Sequence, residues 1–181
     1  MKTLLIGLEG ITPQRLLGDE RLANVRCLMD VGLWGRLRGA ASAEGMNARI
    51  EALCRHLTGG DWELVSFSEA DDALLDGQIG RLLENLDEET VVLVLADHEG
   101  SAAFILAAPC LAEVELPKGG EIDTASVTDL AVTLLELAGR DVPHEMQGRS
   151  LIQAMANRAC DGDALSEEDI IRQRLIGLGY I

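Results

Sequence analysis

Four residues have side chains that a divalent cation would use: Glu9, Asp71, Asp97 and His98. Each follows a short apolar run. Glu9 comes after residues 3–8 (TLLIGL), Asp71 after residues 62–67 (WELVSF), and the Asp97-His98 pair after the VVLVLA stretch. Hard carboxylate oxygens favour magnesium or manganese, and one imidazole adds tolerance for zinc. In open parallel sheets, ligands collect in the crevice outside the carboxyl ends of the strands, where residues placed this way would meet. A carboxylate after a strand also has a simpler use, capping the helix that follows. His56 falls near the end of a helical pattern and His144 follows Pro143 in a loop, so both are expected to be structural or solvated.

The elements that would deliver these residues alternate in type. Residues 3–8 form a buried parallel strand, and residues 20–30 carry Leu22, Val25, Leu28 and Met29 at helical spacing before Gly32. A short strand follows at 33–38 and a helix at 46–57, which ends at Gly59 and Gly60. Residues 62–67 are expected to be a second buried strand. Leu74, Leu75, Ile79, Leu82, Leu83 and Leu86 mark the helix after it. Residues 90–96 give the clearest strand, with another at 103–107. Asp123 or Thr124 would cap a helix striped by Val127, Leu130, Leu134 and Leu137 and stopped by Gly139, and a last helix begins near Ser166. This alternation predicts an α/β fold, a mostly parallel sheet flanked by helices, in a single domain over 1–181.

Composition agrees. With 48% apolar and 3% aromatic residues in 181, the core must be built from Leu, Ile, Val and Ala, which suits a helix-covered parallel sheet. The net charge of -16 argues against nucleic acid and anionic membranes as partners, because both demand a surplus of Lys and Arg. Cys27, Cys54, Cys110 and Cys160 form no CxxC pair and read as reduced core residues, which points to the cytoplasm. The apolar run before Glu9 is too short for a signal peptide or a membrane span.

Six segments, in this order, carry a resemblance: LLIGLEG, LANVRCLMDVGLWGRL, WELVSFSEAD, LDGQIGRLLENLDEETVVLVLADHEG, TDLAVTLLELAGRDVPHEMQGRSL and RLIGLGYI. They resemble segments of type I phosphodiesterase/nucleotide pyrophosphatase proteins, which belong to the alkaline phosphatase superfamily. The resemblance implies an alkaline-phosphatase-like core and two metal sites. In that family a first-strand Asp, a Ser or Thr nucleophile and an Asp-His pair hold one metal. An Asp, a nearby His and a late His hold the other.

Asp97 and His98 match the Asp-His pair, and Asp71 matches the Asp of the second site. The first-strand position holds Glu9, a longer carboxylate. Ala73, Leu74 and Leu75 stand where a His is expected, and Ser101, Ala102 and Ala103 lead into the next strand without the late His. Leu57-Thr58-Gly59 resembles the family's Thr-Gly element, but the matching upstream stretch is Asn47, Ala48, Arg49, and Ser42 is the nearest hydroxyl. No catalytic residue is assigned.

The resemblance therefore implies a noncatalytic superfamily domain used for binding, regulation or assembly, with one divalent metal (zinc, manganese or magnesium) or none. The alternative is a metal-dependent hydrolase of phosphate esters, with water as nucleophile and Glu9, Asp71, Asp97 and His98 as ligands. A small phosphate ester is a ligand that the resemblance allows. An apolar face stripped of family insertions would be covered by a homodimer or a protein partner.

Overall fold

A computed structural model of the protein describes residues 2–38, 50, 53, 61–68, 71–87, 89–112 and 120–162. Its centre is a six-stranded sheet. The strands are β1 (Lys2–Glu9), β2 (Gly32–Leu37), β3 (Asp61–Phe67), β4 (Val91–His98), β5 (Ser101–Ala107) and β6 (Glu121–Ala125), in the order β3-β1-β4-β5-β2-β6. The β3–β1, β1–β4 and β2–β6 pairs are parallel, whereas β5 runs antiparallel to both of its neighbours. The physical reason lies in the connection. Only Glu99 and Gly100 separate β4 from β5, and a two-residue link closes a hairpin but cannot carry a parallel crossover.

Helices cover the sheet on both faces, which is why the central strands read as unbroken apolar runs. One face carries Leu4, Ile6 and Leu8 of β1 with Val92, Val94 and Ala96 of β4. It packs on α1 (Pro13–Gly18), α2 (Ala23–Val31) and α3 (Asp72–Leu83) through Leu16, Val25, Leu28, Leu75 and Ile79. The other face carries Leu5, Leu93, Leu95, Phe104 and Leu33. Against it lie Ile50 and Leu53, Leu111 of the short α4 (Pro109–Ala112), and Leu130, Leu134, Leu151 and Met155 of α5 (Val127–Leu137) and α6 (Leu151–Gly162). At the sheet's far side Gly35 lets β6 approach β2: a Cβ there would collide with the Ile122 carbonyl oxygen. The pairing is also irregular between Gly35 and Leu37. No helix among the described residues is long and apolar enough to cross a membrane.

The mixed α/β architecture agrees with the alternation in the sequence, and several details differ from it. β3 is an edge strand, not a buried one, because among the described residues it has a neighbour only in β1; Trp62 and Leu64 are 42% and 40% exposed. Leu74, placed on the apolar stripe of α3, points to solvent at 59% exposure. Ser126 caps α5, where Asp123 or Thr124 was expected, because the chain stays extended as β6 through Ala125. Four elements gave no clear pattern: α1, with Thr12 as cap and Pro13 in its first turn, the short α4, β6, and α6. Cys27 is an exposed free thiol on α2, a correction to its reading as a core residue. Ser42, His56, most of the 46–57 helix and the helix expected from Ser166 lie outside the described residues.

Candidate functional site

β3, β1 and β4 are adjacent and parallel, so their carboxyl ends open on the same edge of the sheet. Glu9 and Asp97 are register partners there, and the Gly10 N–H donates to the Asp97 carbonyl at 3.1 Å. Both continue the alternation of Leu5, Leu93 and Leu95, so the two carboxylates share one face of the sheet. Glu9 is exposed, and Asp97 is 7% exposed.

His98 parts from them for the same geometric reason. Adjacent positions on a strand face opposite ways, which sends the imidazole to the face of Val94 and Ala96. Its Nε2 lies 4.0 Å from Glu99 Oε1, beyond hydrogen-bond range. His98 pairs with Ser101, and the turn between them has positive φ at both Glu99 (49°) and Gly100 (80°). That is the type I′ pattern that matches the twist of a hairpin. Glycine takes such a conformation freely, while Glu99 adopts it at a cost of order 1 kcal/mol. The DHEG segment thus turns straight back into the sheet.

Asp71 is the N-cap of α3. Its carboxylate accepts from the Ala73 and Leu74 N–H groups at 2.9 and 3.1 Å, the helix-capping role open to any acid after a strand. The first turn of α3 carries a denser arrangement. Buried Asp72 pairs with both Arg15 and Arg21, and Arg21 also donates to Asp19 at 2.7 and 3.0 Å. These bonds from Arg21 hold the Asp19 carboxyl down at about 2. One turn on, buried Asp76 accepts from the Asn24 N–H and side-chain amide, both at 2.9 Å, and from the Val25 N–H at 3.3 Å. It caps α2 from another helix, and the α2 cap residue, Leu22, has no side-chain acceptor of its own. The pairs made by Asp72 and Asp76 have no sequence signature, because their members stand more than fifty positions apart.

Of the four candidate ligands, the fold brings Glu9 and Asp97 side by side, turns His98 to the opposite face and uses Asp71 as a cap. Among the described residues no group of three or more His, Cys, Asp and Glu side chains is placed to hold a metal ion. Two carboxylates fall short of the three or four protein ligands of a zinc site, whereas magnesium is commonly held by one or two carboxylates with waters and phosphate oxygens completing its shell. A cavity of about 410 Å³ lies elsewhere, between β6 and the start of α6, with Ile122, Thr124, Arg149, Ser150 and Met155 in its lining. The chain matches no protein-family model and, among curated proteins, has no significant match.

Proposed function

We propose that the chain is a noncatalytic, alkaline-phosphatase-like α/β domain that acts as a binding or assembly module. The observation that carries this is the use made of the family's acidic positions: Asp71 caps α3, and Asp97-His98 runs into a two-residue hairpin. A hairpin that tight leaves no loop in which further ligands could be presented after His98. Shaped by these local contacts, the carboxyl edge supports the fold. Two of the exposed large apolar residues, Trp62 and Leu64, lie together on β3, where they are available to a partner.

The experiment is elemental analysis of the purified protein and of an Asp97→Ala/His98→Ala variant, with a chromogenic phosphodiester assay on both. The expected result is no stoichiometric metal and no turnover in either protein. Stoichiometric metal and metal-dependent turnover, both lost in the variant, would overturn the proposal and establish the hydrolase built around Glu9 and Asp97.

A further inference from the structure

β3 closes one side of the sheet, and its outer edge has no strand beside it among the described residues. Such an edge offers a row of backbone donors and acceptors to any chain that can lie along it. Its side chains are patterned by face. Trp62 and Leu64 stand in register with Thr3 and Leu5, and Leu5 belongs to the core cluster on that face while Trp62 and Leu64 do not. On the opposite face exposed Glu63 precedes half-buried Val65 and Phe67. The Glu63 carboxylate meets Lys2 at 3.2 Å, with both side chains about half exposed.

We propose that the β3 edge is a docking site for an extended partner segment of alternating apolar and basic residues, added to the sheet as a seventh strand. The proposal rests on reading the chain as a binding module. Main-chain hydrogen bonds along β3 supply the pairing, and side-chain complementarity supplies the choice of partner. Apolar residues of the incoming strand cover Trp62 and Leu64, and a Lys or Arg on its other face lies across from Glu63. Charge selects against a second copy as the occupant. Each chain carries -16, so joining two edges would bring like-charged molecules together. A cationic strand gains from the same field.

The probe is a capped eight-residue peptide alternating Val and Lys, titrated into the full chain. Trp62 emission is read in a Trp34→Phe background, since the sequence holds two tryptophans. A saturable blue shift is expected as Trp62 leaves water. Binding should weaken by about tenfold or more in Leu64→Ser, in Glu63→Lys, and with a peptide N-methylated at alternate residues, which cannot donate to the edge. It should also weaken as salt rises, because screening shortens the reach of exposed charges. Equal urea midpoints for parent and variants confirm that folding is intact.

Equal binding of the N-methylated peptide, or of one with Glu in place of Lys, would overturn the proposal. Two further results would replace the occupant. Trp62 emission already blue-shifted and unresponsive in the free chain would mean that the chain covers its own edge. A dimer in sedimentation, dissolved by Leu64→Ser, would mean that a second copy does. None of these readouts involves metal or turnover, so failure here is separable from failure of the noncatalytic reading.

Discussion

Asp129 joins two helices through a carboxylate that is 5% exposed. Its Oδ2 accepts from the Ser126 N–H at 2.8 Å, and the Asp129 N–H donates to Ser126 Oγ at 3.1 Å, which completes a capping box at the start of α5. Its Oδ1 accepts from the Arg149 N–H at 2.9 Å, just before α6. One turn later Thr133, fully buried, takes the Leu151 N–H at 2.9 Å and donates to the Asp129 carbonyl at 2.7 Å. The segment leading into α6 is therefore held at alternate residues by polar side chains of α5. Asp129→Ala removes the acceptor for two backbone N–H groups, each worth about 1–3 kcal/mol when left unpaired away from water. Part of the cap survives through Ser126, so the net loss should be about 2–4 kcal/mol. Urea unfolding followed by circular dichroism would show this as a midpoint lower by about 1–2 M, with an m-value near 2 kcal/mol/M.

The pH dependence of that loss tests its origin. Burial works against the Asp129 charge, but the Arg149 and Ser126 N–H groups and the Ser126 hydroxyl more than offset it, and the carboxyl lies below its ordinary 3.8. In the unfolded chain the group regains that ordinary value. Its contribution is thus fully present above the unfolded value and is lost as pH falls through the lower, folded one. The stability difference between the parent and Asp129→Ala should be flat above about pH 5 and shrink below about pH 4. A difference under about 0.5 kcal/mol at neutral pH, or one that stays constant down to about pH 3, would refute the assigned role.

Two further perturbations act elsewhere in the fold. Asp76→Ala strips the α2 N-terminus of its cross-helix cap and leaves the Asn24 and Val25 N–H groups without their acceptor. A loss of about 2–4 kcal/mol is expected, with amide exchange rising first at Asn24 and Val25, and unchanged exchange there would count against it. Gly35→Ala places a methyl against the Ile122 carbonyl, so β6 must separate from β2. Its expected cost is about 1–3 kcal/mol, with the fastest new exchange in β6; stability within about 0.5 kcal/mol of the parent would show that the strands can part freely.

Continuous apolar runs at residues 3–8 and 90–96, with helical stripes between them, were enough to predict a helix-covered α/β sheet. Burial on both faces removes the polar alternation of a strand, and that removal is visible in one dimension. The same logic misplaced β3. WELVSF is mostly apolar despite Glu63 and Ser66, and only the order of strands in the sheet puts it at an edge with Trp62 and Leu64 in solvent. β6 went unread because EIDTA is short and polar, and its place beside β2 depends on Gly35, a strand partner far away in the sequence.

For the candidate site, the sequence by itself located the acids and the histidine at the ends of strands, since an apolar run stops where the chain leaves the core. Which of them meet was decided by tertiary structure. Strand register put Glu9 beside Asp97, the two-residue period turned His98 away, and the Asp71 carboxylate was taken by the backbone of its own helix. The pairs that lock the helices together, Asp72 with Arg15 and Arg21, Asp76 with Asn24 and Asp129 with Arg149, lie beyond any local pattern. A carboxylate's partner is whatever donor the packing leaves within about 3 Å, and that distance exists only after the sheet and its helices have come together.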